Sequence, residues 1–452
     1  MVKFHLQPLT PMKRFRLLVL PLFMLCSIHF GHAQKKSNKG VTRHQIVSLV
    51  DSLKKSLNSY YIFPDKALLI SNHLSSQLAK GVYKNNTDPA KLASQFENDI
   101  RSIHYDSHLH ISFEPGMLAP NKMSPEERTK AMEEFLATER DNNFNLQKVE
   151  VLPGNIGYFL FNGFTGSVDE AKPILNAALT FLSGTKTLII DLRYNGGGNT
   201  ANRLESYFFK ERTHLYDNVN TFEKNTISVF SDPSATNGLT LLMPVYILTS
   251  KNTFSAAEAF SASMQSLKRA VIVGENTGGG SHMTGTFDLG GGFIARIPFA
   301  RPISTAAFKD WEGTGVTPDI PVEASKALEK AQEVIYQDLL SQAKSEKDKM
   351  KIQWAMNMLI AEQNPPNLSA ASYNKYVGTY VGGLKFYIEN DQFVCENSGR
   401  GGSNVFKLIP IFDDTYVLDE NVQIQFVKDE KNIYSSLKML WKDGHVTENR
   451  KE

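Results

Sequence analysis

Cysteine is almost absent: the 452-residue chain holds two, Cys26 and Cys395. Cys26 lies inside an apolar leader, which leaves Cys395 alone in the mature chain and excludes an intramolecular disulfide. The fold must therefore be held by its core, even in an oxidising compartment. Charge imbalance is also missing. The 49 Lys and Arg against 47 Asp and Glu leave a formal net charge of +2. No basic stripe runs along the chain, so neither nucleic acid nor an anionic membrane surface is indicated as a partner. There are no internal repeats and no long low-complexity linker. Beyond the leader, no apolar run is long enough to span a bilayer.

What is present is ample core. Hydrophobic residues make up 41% and charged residues 21%, the balance of a globular chain long enough for two or three domains. The leader itself reads as a secretory signal peptide over residues 1–33. Lys13, Arg14 and Arg16 precede the apolar stretch Leu17 to Phe30, and Gly31-His32-Ala33 offers small residues for cleavage. That predicts an exported protein, periplasmic or secreted.

Hydrophobic spacing then divides the chain. Residues 41–115 open with helical periodicity (Ile46, Val50, Leu53, Leu57), with Thr42 as a cap, and form a small N-terminal helical domain closed by the alternating Leu109, Ile111 and Phe113. Residues 150–322 alternate strands and helices, which predicts an α/β domain with partly parallel strands. Predicted there are strands near 156–161, 187–192, 245–249, 270–274 and 293–299, and helices near 168–183, 200–210 and 255–267. Residues 323–365 read as charged amphipathic helices. From 370 to 452 short alternating segments between Gly-, Asn- and Asp-rich turns predict a small antiparallel β domain, with Cys395 as core filler and Asp391, Asp413 and Asp414 in turns.

Three segments could carry chemistry. Ser255 follows the apolar strand Val245 to Thr249 and begins a helix, a junction that holds a hydroxyl beside free backbone N–H groups. His108, in His104-Tyr105-Asp106-Ser107-His108, alternates with Leu109, Ile111 and Phe113, which predicts an exposed imidazole at a strand entrance, fit for a general base. Glu312, in a Gly-rich loop, could orient that imidazole. A metal site competes with this reading: His104, Asp106, His108 and His110 would share one strand face, with His282 as the best further ligand. His282 is likewise the rival to His108 as base.

The ordered segments Asp191-Leu192-Arg193-Tyr194-Asn195-Gly196-Gly197-Gly198, Thr253-Phe254-Ser255-Ala256-Ala257-Glu258, Val273-Gly274-Glu275-Asn276-Thr277-Gly278-Gly279-Gly280 and Glu312-Gly-x-Gly-Val-x-Pro-Asp319 resemble peptidase family S41. That family contains tail-specific proteases, the tricorn protease core and the interphotoreceptor retinoid-binding protein repeats. Gly280 stands where the tail-specific branch has its catalytic lysine, so the resemblance points to the tricorn-like branch. It implies a crotonase-like α/β core. It also implies Ser255 as nucleophile, His108 as base, Glu312 as acid, Ser107 as an assisting serine, and the N–H groups of Gly197 and Ala256 as the oxyanion hole. Such chemistry hydrolyses a peptide bond through an acyl-enzyme and requires neither metal nor organic cofactor. The retinoid-binding repeats add a second possibility, a non-catalytic module for an apolar ligand or peptide.

Overall fold

Thr187–Asp191 and Val245–Thr249 are apolar without alternation, the pattern of strands covered on both faces, and every residue of both is buried. They lie side by side at the centre of a six-stranded sheet in a computed structural model that describes residues 40–115, 123–166, 168–198, 204–305, 308–363, 365–399, 404–412 and 414–452. The expected leader and Asp413 lie outside the described residues. The sheet runs Ile320–Pro321, Ala270–Gly274, Val245–Thr249, Thr187–Asp191, Ile156–Phe161 and Leu146–Leu152. All neighbours are parallel except the last pair. Helices Val168–Leu182 and Ala256–Ser266 cover one face around Leu188, Ile190, Ile247 and Phe260. Helices Ala327–Gln342 and Glu346–Gln363 cover the other, around Ile189, Leu248 and Tyr336.

Parallel strands deliver their carboxyl ends, and the loops that follow, to one edge of the sheet. Here those loops are 192–198, 250–255 and 275–282. Asp191 fixes the first of them. It is fully buried, accepts from Tyr158 Oη at 2.7 Å, and pairs with Arg193 at 2.6 Å. Arg193 in turn donates to the Ala324 carbonyl at 2.7 Å. The expected 200–210 helix is described only from residue 204, as a short helical stretch running into a 3-10 turn, Ser206–Phe208.

The N-terminal segment holds three helices, Arg43–Tyr60, Pro64–Ala79 and Pro89–Ile103. Thr42 caps the first in a reciprocal box with Gln45. These helices share one core with the α/β part, because Leu53, Leu57, Ile70 and Phe96 pack with Leu289, Phe293, Ala295 and Ile297. Strand His110–Phe113 pairs antiparallel with Phe293–Pro302 in a second sheet, which also contains Met283–Gly290, His214–Asn220 and Asn225–Phe230. The tail forms two antiparallel sheets of four and five strands around Tyr376, Tyr380, Phe393 and Phe426, with Cys395 buried among them. Among the described residues no helix is long and apolar enough to cross a membrane.

Glu205 is an ionisable residue in the interior. It is fully buried beside Ser263 and Tyr216, and among the described residues neither carboxyl oxygen has a hydrogen-bond partner within bonding geometry. Burial pushes its pKa up to about 8, with the Ser263 hydroxyl pulling the other way. In the unfolded chain the proton leaves near the ordinary value of 4.5, whereas the folded chain keeps it up to about 8. Folding stability should therefore fall as pH rises across that window. Glu205→Gln removes the effect, so its melting temperature should exceed the parent's by more at pH 8 than at pH 5. Parallel melting curves across that range would refute the assignment.

Candidate active site

Ser255 sits between the strand Val245–Thr249 and the helix Ala256–Ser266, with φ 54° and ψ −119°. For a residue with a Cβ this backbone is strained, at a cost of order 1–3 kcal/mol, and it persists because its surroundings fix it. Thr253 Oγ1 donates to the Leu192 carbonyl at 2.8 Å, and Phe254 N donates to the Asn195 carbonyl at 3.0 Å. Ser255 N donates to Glu258 Oε2 at 2.8 Å. A sharp turn with positive φ between strand and helix has the backbone form of a nucleophile elbow.

Two backbone N–H groups lie on residues next to Ser255, one following it in the chain and one on the packed loop. The N–H of Ala256, at the helix start, makes no hydrogen bond among the described residues. That of Gly197 donates to Asn195 Oδ1 at 2.9 Å. Gly197 has φ 96°, and a Cβ there would lie 2.7 Å from the Ser255 Cβ and 2.8 Å from Ala256 N. Only glycine brings the loop this close to the elbow.

Glu258 ties the elbow to the neighbouring loop. Its buried carboxylate accepts from Gly279 N at 2.7 Å, Gly280 N at 2.8 Å and the Thr277 hydroxyl, besides Ser255 N. Burial raises its pKa against the pull of these four donors. The loop also joins the segment 311–316, where Gly313 N donates to the Gly279 carbonyl at 2.9 Å and Val316 N to Thr277 Oγ1 at 2.6 Å. Trp311 is buried against Phe308 and Ala262 and holds that segment down.

The same contacts bring Glu312 to His108. His108 Nδ1 lies 3.6 Å from Glu312 Oε2, an ion-pair distance longer than a hydrogen bond. Ser107 Oγ donates to Glu312 Oε1 at 2.8 Å, and Ser281 N to Glu312 Oε2 at 2.7 Å. Burial pushes the Glu312 pKa up, but the His108 and His282 rings and the Ser281 N–H outweigh it and hold the carboxyl at about 2. Glu312 is therefore an anion throughout the neutral range.

His108 departs from the exposed position that strand alternation predicts. The strand begins only at His110, and Ser107 and His108 form a turn, so the ring folds inward and is 6% exposed. It stacks on Phe254 with ring centroids 4.9 Å apart at 28°. Among the described residues neither ring nitrogen has a hydrogen-bond partner, so the imidazole and the Ser255 hydroxyl are not bonded to each other. The His104–His110 face also dissolves: His110 turns to Glu97 at 3.4 Å, and His104 packs against Phe63. Asp106, His108, His282 and Glu312 do converge, each with a ligand atom within 4.8 Å of the others. Glu258, Tyr61, whose hydroxyl donates to Asp106, and Asp310, which accepts from Glu312 N at 3.1 Å, are participants that sequence reasoning passed over. For Glu258 the signal was available, since Ser-x-x-Glu at a helix start is the capping-box spacing.

The pattern described as Peptidase family S41 matches residues 155–322, and that described as the N-terminal domain of Peptidase_S41 in eukaryotic IRBP matches residues 40–153. The two adjoin and together cover more than half of the sequence. The chain belongs to peptidase family S41.

It is 28% identical over 183 residues to the chloroplastic carboxyl-terminal-processing peptidase 2 of Arabidopsis thaliana, covering 38% of this chain and 34% of that protein. It is 27% identical over 221 residues to a carboxyl-terminal-processing protease of Picosynechococcus, covering 48% of each. The chain thus spans half or less of the length of these curated relatives. Among solved structures, mature CPAF overlays with TM-score 0.46 at 12% identity, covering 71% of this chain and 98% of that one. The photosystem II D1 C-terminal processing protease overlays with TM-score 0.40 at 16% identity, covering 62% and 93%.

Gly280 occupies the crowded point of the site. A Cβ on it would lie 2.2 Å from Phe254 Cζ and 2.5 Å from His108 Cε1. The position has no room for a lysine stem while Phe254 and His108 stay stacked. Gly280→Ala should push that stack apart and slow acylation of Ser255 by a fluorophosphonate at least tenfold, with far-ultraviolet circular dichroism unchanged. Labelling at the parent rate would show that His108 does not need its present position.

Proposed function

We propose that this chain is an exported serine peptidase that cleaves peptide bonds through an acyl-enzyme on Ser255. His108 is the general base, Glu312 the acid that orients it, and Ser107 the hydroxyl that holds Glu312. One observation carries the reading above the others. The strained elbow at Ser255, with an open Ala256 N–H beside it, shares its Phe254 neighbour with an imidazole paired to a low-pKa carboxylate. The leader over residues 1–33 supports export, and family membership supports a peptide or protein as substrate.

The steps follow from the residues. His108 takes the Ser255 proton as the oxygen attacks the carbonyl carbon, and Glu312 stabilises the imidazolium that results. The oxyanion meets the Ala256 N–H first. The Gly197 N–H joins when Asn195 releases it. Each such donor is typically worth about 3 kcal/mol of barrier. Collapse expels the amine with the proton His108 carries, and water repeats the cycle on the ester. A hydroxyl and base not yet bonded to each other are common before substrate tightens a site.

A second reading rests on a different observation. Phe159, Phe161, Phe164, Leu175, Leu204 and Tyr207 line an apolar cleft, and Phe164 N donates to the Gly197 carbonyl at 2.7 Å. That cleft could hold an apolar ligand in a protein without catalysis. Fluorophosphonate labelling separates the two. The parent should label, Ser255→Ala should not, and His108→Ala should label roughly a hundredfold more slowly or less, the usual worth of a general base. If His282→Ala alone abolishes labelling, the base is misassigned. If the parent never labels, the binding reading prevails.

A further inference from the structure

Four side chains meet beside the proposed nucleophile in a way that acid–base catalysis alone does not require. His282 Nδ1 lies 3.1 Å from Asp106 Oδ2 and 3.5 Å from Glu312 Oε2, and Glu312 Oε2 lies 3.6 Å from His108 Nδ1. Two of these three separations are too long for good hydrogen bonds. Ligands about 2.0–2.1 Å from a tetrahedral zinc ion stand about 3.3 Å from one another, and the three separations bracket that value.

The donor set also fits. Two imidazoles and two carboxylates suit zinc, and the two anions would balance a dication. His108 and His282 are 6% and 4% exposed. Among the described residues neither His108 ring nitrogen has a hydrogen-bond partner, an unusual state for buried polar atoms, and one of them, Nδ1, faces Glu312; the His282 Nδ1 of the cluster is bonded to Asp106 Oδ2.

The carboxylates are supported as metal-binding carboxylates usually are, by donors behind them. Asp106 accepts from Tyr61 Oη and from His108 N, each at 2.9 Å. Glu312 accepts from Ser107 Oγ at 2.8 Å and Ser281 N at 2.7 Å.

We infer that Asp106, His108, His282 and Glu312 form a site for a divalent cation of the zinc class, and that the cation switches the peptidase off. The switching clause rests on the catalytic reading above. A zinc ion on Nδ1 of His108 leaves the ring's remaining proton on Nε2. That nitrogen then has no lone pair to accept the Ser255 proton, and Glu312 is withdrawn from the imidazole at the same time. The site would act by removing the base.

Binding is tested without any assay of activity. The full chain, stripped with chelator and dialysed, is titrated with Zn2+ by calorimetry and with Co2+ by visible absorption. One ion per chain is expected, with the intense absorption of four-coordinate cobalt. Ser255→Ala should bind as the parent does, and His282→Gln and Asp106→Asn should each bind on the order of tenfold more weakly or worse. Zn2+ should also raise the parent's melting temperature and not that of a His282→Gln variant shown by circular dichroism to be folded. Absence of binding to the parent, or undiminished binding in both ligand variants, overturns the site.

The switch has its own readout. Zn2+ should slow fluorophosphonate labelling of Ser255 and chelator should restore it. Labelling that depends on Zn2+ would overturn inhibition in favour of a metal-requiring enzyme. A parent that never labels sinks the peptidase reading, while the titrations still decide the cation site.

Discussion

The carboxylate of Glu258 is the constraint on which the rest of the site depends. Three backbone N–H groups and one hydroxyl converge on it from two separate stretches of chain. One stretch carries the strained Ser255 peptide, and the other is the Gly-rich loop that packs on the His108 ring. A backbone conformation that costs free energy is kept only where the surroundings over-determine it. A buried carboxylate loses more by giving up donors than an exposed one. The Ser255 turn and the loop are therefore tied to one another, and the 311–316 segment, bonded to that loop, sets the place of Glu312.

Two sheets divide the work. The parallel sheet presents three loops from adjacent carboxyl ends and builds the elbow and its N–H groups. The imidazole arrives from outside it, on the turn ahead of strand His110–Phe113, and that turn is held where it is because the strand is paired with Phe293–Pro302. Neither sheet contains the site alone. The apolar contacts between the N-terminal helices and Leu289, Phe293 and Ile297 join the two halves.

Much of this was legible in the sequence where one physical signal dominated. Continuous apolar runs announced Thr187–Asp191 and Val245–Thr249, and Thr42 ahead of the spacing Ile46, Val50, Leu53 and Leu57 announced the first helix. Strands that bury polar side chains gave no such signal. His214–Asn220 turns Asn218 and Asn220 inward, Asn225–Phe230 is mostly exposed, and Met283–Gly290 is interrupted by glycine. Their pairing comes from partners far along the chain, which periodicity does not register. The residues of the site were recognisable as a set, but the burial of His108 was not. Alternation assumes a strand, and a turn at Ser107–His108 reverses which way the ring faces. The meeting of Asp106 and His282 with the other two is likewise a product of tertiary folding, and the Asn195 side chain's hold on Gly197 N–H is visible only in three dimensions.

The pairing of His110–Phe113 with Phe293–Pro302 orders events in time as well as in space. A growing polypeptide contains His108 early and Ser255 later, yet the strand that seats the imidazole is not made until nearly three hundred residues have been joined. Glu312 emerges after that. An incomplete chain that ends before Phe293–Pro302 thus lacks the pairing that seats the His108 turn, and one that ends before residue 312 lacks the carboxylate beside it.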